Sequence, residues 1–177
     1  LLDMDPSERS LSGLFMAFQY PIELPGVTNA SYLKQIVNIH RKHRGEKPIE
    51  AGDFLKLLKE KSVRLNISMD MHSRFVNAGF SGGEKKKNEV LQLDLLNPNL
   101  VIMDETDSGL DVDALKSTSE AVNQLRSSNR SFIIITHYLR LLEYIEPDFV
   151  HVFQDGSIIE SGDKSLANRI DKQGYAY

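Results

Sequence analysis

The sequence predicts an α/β fold in which a parallel sheet is covered by helices and carries an inserted helical subdomain. Residues 100–103 and 132–136 form two nearly unbroken apolar runs, as strands of a parallel sheet do when both faces are covered. An amphipathic helix is predicted between them at residues 112–127, which gives the strand–helix–strand order of a parallel pair. Ahead of these strands, residues 27–98 contain consecutive helical patterns.

The chain is expected to divide into three parts. Residues 1–26 hold one apolar run, ended by a proline and a Pro-Gly turn, and belong to the core. Residues 27–98 form the helical subdomain, and residues 99–177 return to the core. In this last part a third buried-strand pattern, at 149–153, is followed by Asp155-Gly156, which indicates a hairpin.

Each helix of the subdomain has a candidate start signal. Asn29 is expected to cap the first helix and Asp53 the second, because short polar side chains accept hydrogen bonds from the first free backbone amides. The third helix is expected from Ser81 to about Leu96 and is ended by Asn97-Pro98.

Composition excludes several classes of site. The 177 residues include no cysteine, so the chain offers no disulfide, thiolate metal ligand or cysteine nucleophile. A net charge of -4 argues against non-specific nucleic-acid binding. No apolar run approaches the roughly 18 residues that a membrane span requires.

Two adjacent acids, Asp104 and Glu105, end the first buried strand. Ligands of open α/β sheets bind at this edge, where an aspartate can hold Mg²⁺ against nucleotide phosphates and a glutamate can activate water. Acid pairs also occur in solvated loops after strands. The histidine His137 ends the next strand, so it is expected at the same edge, although single histidines at strand ends are more often structural.

A second pattern, Phe80-Ser81-Gly82-Gly83-Glu84, opens the third helix. The two glycines allow close approach of the backbone, and a helix N-terminus presents free amides to an anion. The simpler alternative is a glycine turn capped by Ser81. The lysines that follow, residues 85–87, are expected to form a solvated helix face or to pair with nearby acids.

Taken in order, Gln19, FSGGE, LVIMDE, SGLD and His137 resemble the ATP-binding cassette ATPases over the whole chain. The resemblance implies a P-loop NTPase-like core with ATP and Mg²⁺ as ligands. Residues 80–84 look like the signature motif, 100–105 like Walker B and 108–111 like the D-loop, while Gln19 looks like the Q-loop glutamine and His137 like the switch histidine.

The resemblance also implies roles for these residues. Asp104 and Gln19 would support Mg²⁺, Glu105 would polarise the attacking water, and His137 would stabilise the transition state. In the family, two subunits enclose the nucleotide in an ATP-dependent homodimer. The signature residues and the D-loop would therefore act across the subunit interface; they are Ser81, Gly82, Gly83, Glu84 and Asp111.

Within the family, the chain is most similar to the ATPases of the SUF system of iron–sulfur cluster assembly. The segments around Gln19, the run FSGGEKKKNEVLQ and the C-terminal residues 172–177 carry this likeness. It implies a SufB–SufD type scaffold as partner, with location in the bacterial cytoplasm or a plastid-type organelle. Ile22 and Val27 are candidates for the scaffold surface, and packing within the subdomain is the alternative.

The family's phosphate-binding loop, G-x-x-x-x-G-K-[ST], occurs nowhere in these 177 residues. We therefore expect an N-terminally truncated chain that binds ATP poorly by itself. Two other functions remain open: the nucleotide-binding domain of a transporter, and a non-catalytic interaction module that occupies the scaffold.

Overall fold

The computed structural model describes residues 1–173. The C-terminal likeness at 172–177 therefore falls largely outside the described residues. The elements, in chain order, are α1 (Pro6–Leu11), β1 (Leu14–Ala17), β2 (Leu24–Thr28), α2 (Asn29–His43), α3 (Ala51–Arg64), a 3-10 helix (Met69–His72), β3 (Phe75–Val76), α4 (Gly82–Leu96), β4 (Leu100–Asp104), α5 (Val112–Leu125), β5 (Ser131–Ile135), a 3-10 helix (Leu139–Glu143), β6 (Val150–Gln154), β7 (Ser157–Gly162) and α6 (Lys164–Gln173).

The predicted α/β core with a parallel sheet is confirmed. Strand β4 lies between β1 and β5, and both pairings are parallel. In the register of these pairings, Ala17 lies opposite Met103, and Asp104 opposite Ile135. The carboxyl ends of all three strands therefore meet at one edge of the sheet.

Coverage of both faces was expected, and for β5 this is wrong among the described residues. Phe132 and Ile134 pack against the core, whereas Ile133 and Ile135 stay 50% and 48% exposed. Because side chains alternate along a strand, an apolar run alone does not tell which of its faces is covered.

Two of the predicted helix caps are wrong. The side chain of Thr28, not Asn29, caps α2 and accepts a hydrogen bond from the Ser31 amide. Helix α3 follows Glu50, so Asp53 lies within its first turn. The third helix starts as predicted, with Ser81 as N-cap in a capping box, and it ends at Asn97 in a left-handed conformation.

The antiparallel hairpin of β6 and β7 turns at Asp155-Gly156, as predicted. The expectation of a buried strand at 149–153 is wrong among the described residues: Phe149 and Phe153 are 77% and 70% exposed, because β6 pairs with β7 outside the parallel sheet and buries only one face, at Val152. The sequence patterns missed α1, α6 and the short pairing of β2 with β3. That pairing ties the segment after Gln19 to the residues just ahead of α4.

One apolar cluster runs from the subdomain helices into the sheet and α5. Its fully buried members include Leu33, Leu58, Leu91, Val101 and Val122. Helix α4 contributes to this cluster and also buries polar side chains, so most of its circumference is covered. The subdomain and the sheet thus share one core through α4.

A buried histidine lies at the centre of the subdomain. His72 places Nε2 2.8 Å from Oγ of Ser62, whose hydroxyl donates to the Leu58 carbonyl at 2.7 Å. On the other side of the ring, Nδ1 of His72 lies 3.2 Å from Nδ2 of Asn29. Because the Ser62 hydroxyl proton is directed to Leu58, Nε2 carries the proton and Nδ1 accepts, which fixes a neutral imidazole.

The polar chain continues from Asn29 to the segment after Gln19. Nδ2 of Asn29 donates to Oδ1 of Asn88 at 2.8 Å, and Nδ2 of Asn88 donates to Oδ1 of Asn77 at 3.0 Å. Asn77 then donates to the carbonyl of Ile22 at 2.8 Å. Helix α4 therefore holds Ile22 through two asparagines.

Acidification is expected to destabilise the fold through His72. Burial lowers the pKa of His72 below its ordinary value of 6.5, so the unfolded chain takes up this proton at a higher pH than the folded chain does. Stability should therefore fall as the pH drops below about 6.5. Urea unfolding at pH 7.5 and pH 5.5 should show a smaller pH dependence for His72→Gln than for the unmodified protein.

The His72→Gln variant should still lose some stability on acidification, because burial also lowers the pKa of His40. The exposed His151 offers a matched control, and His151→Gln should keep the full dependence. If the unfolding free energy of His72→Gln depended on pH as strongly as that of the unmodified protein, groups other than His72 would account for the acid sensitivity.

Candidate nucleotide site

The carboxyl edge of the sheet collects the predicted site residues. Asp104 is the last residue of β4, and Glu105 follows it directly. Gln19 lies two residues beyond β1 and His137 two residues beyond β5. This convergence is what parallel strands impose on residues that follow them.

Glu105 is contacted from both neighbouring strands. Nε2 of Gln19 donates to Oε2 of Glu105 at 2.7 Å, and Nδ1 of His137 lies 3.3 Å from Oε1. The amide of Glu105 donates to the Ile135 carbonyl at 2.9 Å. The structure therefore brings Gln19, Glu105 and His137 into one partly exposed cluster.

The backbone of Glu105 is left-handed, with φ of 42°. A residue with a long side chain rarely adopts this conformation, which costs on the order of 1–3 kcal/mol. The contacts to Ile135, Gln19 and His137 hold it there. The result is a carboxylate directed between two neighbouring side chains at the sheet edge.

Asp104 is half-buried, and within the described residues its carboxylate has no hydrogen bond or ion pair. Gln19 uses its amide nitrogen on Glu105, and within residues 1–173 its side-chain oxygen has no hydrogen-bond donor, so this oxygen can coordinate a metal. Two oxygen donors suit Mg²⁺, which usually takes one or two protein carboxylates together with substrate phosphates and water. The described residues contain no cluster of three or more acidic or histidine side chains that would bind a metal without a nucleotide.

Asp107 and Thr136 form a bridge that the sequence patterns did not indicate. The Thr136 hydroxyl donates to Oδ2 of Asp107 at 2.5 Å and accepts from the Tyr138 amide at 2.9 Å. Oδ1 of Asp107 is buried without a partner among the described residues. The bridge joins the loop after Glu105 to the residues on both sides of His137.

The signature residues form the start of α4. Oγ of Ser81 accepts from the Glu84 amide at 3.2 Å, and the Ser81 carbonyl accepts from the Lys85 amide. Among the first four helical amides, those of Gly82 and Gly83 thus remain without acceptors in the described part of the chain. These two donors, at the positive end of the helix dipole, are suited to an anion.

Close packing of α4 against α5 explains why residue 83 is glycine. A Cβ on Gly83 would lie 3.1 Å from Cβ of Ala114, so any larger residue at position 83 would require α4 and α5 to move apart by a few tenths of an ångström. Asp111 caps α5 by accepting from the Ala114 amide at 2.8 Å, as its position predicted. Across residues 1–173, no hydrogen bond or ion pair joins Ser81, Gly82 or Gly83 to the Glu105 cluster.

Glu84 is engaged by neighbours at the start of α4. Its carboxylate accepts from the Ser81 amide at 2.8 Å and pairs with Arg74 at 3.0 Å. The hydrogen bond from the Ser81 amide, assisted by Arg74, holds the pKa of Glu84 below its usual range. Arg74 also lies over the Phe80 ring, 4.4 Å from the centroid, and so fixes the approach to the helix.

Of the two expectations for the lysines, pairing with a nearby acid is confirmed for Lys86 and the solvated face is wrong, because Lys86 is only 4% exposed and pairs with Glu89. Its Nζ donates to the carbonyls of Phe18 and Gln19 at 2.5 Å and 3.3 Å and pairs with Glu89 at 3.0 Å. The other carboxylate oxygen of Glu89 accepts from the Phe18 amide at 3.0 Å. Burial raises the pKa of Glu89, and the charge on Lys86 opposes that shift.

The chain has close relatives among known proteins, although no protein-family model matches it. It is 50% identical to the "Probable ATP-dependent transporter SufC" of Escherichia coli (strain K12), over 100% of this chain and 71% of that protein. It is 47% identical to the "Iron-sulfur cluster assembly protein SufC" of Plasmodium falciparum (isolate 3D7), over 99% of this chain and 51% of that protein.

Solved structures share the fold. The structure of MJ1267, an ATP-binding cassette of an ABC transporter, matches with a TM-score of 0.71 at 21% identity, over 97% of this chain and 69% of that chain. A dimeric post-hydrolysis structure of the cassette MJ0796, bound to ADP and Pi, matches with a TM-score of 0.74 at 14% identity, over 92% and 68%.

None of the described helices is both long and apolar enough to cross a bilayer. The fold of the cassette ATPases, their motifs in order and close identity to relatives carrying the SufC name converge on one assignment. The chain belongs to the SufC family of ATP-binding cassette ATPases.

Proposed function

We propose that the protein is the ATP-hydrolysing subunit of an iron–sulfur cluster assembly complex and drives conformational change in a SufB–SufD type scaffold. The observation that carries the catalytic part is the contact of Glu105 with both Gln19 and His137 at the sheet edge. The name of the Plasmodium relative supports the assembly part.

In this function Glu105 orients and polarises the water that attacks the γ-phosphate. His137, 3.3 Å from the same carboxylate, stabilises charge that develops on the transferred group. Asp104 and the side-chain oxygen of Gln19 would hold Mg²⁺, which would neutralise phosphate charge when bound. The bridge of Asp107 with Thr136 keeps His137 next to Glu105.

The signature residues serve a nucleotide held by a second copy of the chain. The amides of Gly82 and Gly83, with Ser81 and Glu84 beside them, present donors at the start of α4. In the part of the chain that the structure describes, these amides have no acceptor and no bond to the Glu105 cluster of their own subunit. Asp111 lies in the loop that packs near Gly82 and would couple the two sites. The dimeric state of the MJ0796 cassette supports such an arrangement.

We assign the scaffold surface to the segment after Gln19 and to the helical subdomain, residues 27–98. Ile22 is 71% exposed and Val27 is 41% exposed, so both side chains are accessible to a partner. Asn77 holds the Ile22 carbonyl in place. An exposed apolar residue on a fixed backbone is suited to a partner surface.

Charging Ile22 is expected to remove scaffold binding while the protein stays folded. The full-length protein carrying Ile22→Glu should lose at least about tenfold in affinity for its SufB–SufD type partner, because burying an unpaired carboxylate at an interface is unfavourable. Co-purification and titration with the purified partner measure this loss.

Ile158→Glu is the matched control, since Ile158 is 59% exposed on β7, in a different part of the structure. It should bind the partner normally. Normal scaffold binding by Ile22→Glu would exclude this surface, and capture of a membrane permease instead of the scaffold would favour the transporter function.

A further inference from the structure

The segment that carries Gln19 is tied to α4 by a buried ion pair. Lys86 has three donors, and all three find acceptors: the carbonyls of Phe18 and Gln19, and the carboxylate of Glu89. Glu89 in turn accepts from the Phe18 amide. Four hydrogen bonds thus connect two side chains of one helix turn with two residues of the Gln19 segment and with each other.

A contribution to stability does not by itself explain why the chain has a buried ion pair at this position. The desolvation of two charges offsets most of their attraction, and apolar residues of similar size often replace such a pair without loss of stability. An apolar pair, however, would have no donor for the carbonyls of Phe18 and Gln19. What the ion pair adds is a fixed position of this backbone.

A second tether from α4 reaches the other end of the same segment. Asn88 holds Asn77 at 3.0 Å, and Asn77 donates to the Ile22 carbonyl at 2.8 Å. The segment from Phe18 to Ile22 is therefore fixed at both ends to α4. Its middle presents Gln19, whose amide reaches Glu105 at 2.7 Å.

We propose that Lys86 and Glu89 are positioning residues that set the Gln19–Glu105 contact from α4. The helix starts at Ser81, so a displacement of its N-terminal end by bound phosphate moves the backbone of Phe18 and Gln19 with it. Nucleotide contact at the signature residues is thereby transmitted to the catalytic carboxylate within one subunit. The inference rests on the functions proposed above for Gln19 and Glu105.

The double variant Lys86→Met/Glu89→Met in the full-length protein tests this inference. It removes the four bonds without leaving an unpaired buried charge, so the fold should persist. Exchange of the Phe18 backbone amide, which donates to Glu89 in the unmodified protein, should become about tenfold faster or more when it is measured without nucleotide. ATP turnover should fall about 10- to 100-fold, while nucleotide affinity stays within about threefold, because a misplaced catalytic contact lowers rate rather than binding.

Lys87→Met is the matched control: this neighbouring lysine donates to the Asn66 carbonyl at 3.2 Å, away from Gln19. It should leave exchange and turnover unchanged. Unchanged exchange in the double variant would refute the tether, and faster exchange with normal turnover would refute the positioning role. If the double variant does not fold, Glu89→Gln can be tested by the same two measurements. This variant keeps an acceptor for the Phe18 amide, so amide exchange should rise and ATP turnover should fall by smaller factors than in the double variant.

The exchange result does not depend on catalysis. If the protein failed to hydrolyse ATP at all, the proposed function would fail, yet exchange of the Phe18 amide would still decide whether Lys86 and Glu89 hold the segment.

Discussion

Glu105→Gln is expected to lower ATP turnover of the full-length protein about 100- to 10,000-fold, the range associated with loss of a general base. Glutamine keeps the size of the side chain and an oxygen that accepts from Gln19. As a neutral amide it can neither take a proton from water nor pair with His137. Phosphate release at saturating MgATP measures the effect.

Nucleotide binding should persist in this variant, because Asp104 and the signature amides are untouched. Titration of a fluorescent ATP analogue should give an affinity within about threefold of the unmodified protein. Glu120→Gln, an exposed acid on α5, is the control and should retain turnover. Turnover of Glu105→Gln within about threefold of normal would remove Glu105 from its catalytic role.

Asn88→Ala is expected to lower the free energy of unfolding by about 3 kcal/mol, since it leaves two buried side chains without their hydrogen-bond partner. Asn88 is fully buried, accepts from Asn29 and donates to Asn77. Asn29 already has a buried side-chain oxygen with no partner in the described structure. The variant would leave a further donor on Asn29 and the Asn77 oxygen unpaired, and would open a small cavity.

Urea unfolding followed by circular dichroism measures this loss. Asn168→Ala on α6 is a suitable control, because Asn168 is exposed and should change stability by less than about 0.5 kcal/mol. A loss below about 1 kcal/mol for Asn88→Ala would show that water or a repacked side chain satisfies the network. Loss of the Asn77 contact should also loosen Ile22.

The sequence was sufficient where the signal is local or follows from strand direction. Two buried strands and a helix between them predicted the parallel pair, and parallel strands bring Glu105 and His137 to one edge. The start of α4 was equally predictable, because the capping box is contained in four consecutive residues, Ser81 to Glu84.

Burial of charged and polar residues could not be predicted in the same way. A lysine in a run of three has the same sequence context whether it is solvated or, like Lys86, enclosed by another segment. Asn29 was a plausible cap, but its side chain is used by His72 and Asn88, and Thr28 caps instead. The bridge from Asp107 to Thr136 joins residues 29 positions apart, so only the folded chain reveals it.

The left-handed backbone at Glu105 has a consequence for variation at this position. Glycine adopts that conformation without strain, so a population selected for folding alone would drift toward glycine at residue 105. Such a population would gain stability and lose the carboxylate. If Glu105 has the catalytic role proposed above, variants with glycine at residue 105 would fold better and hydrolyse ATP more slowly, so expression yield would not report activity.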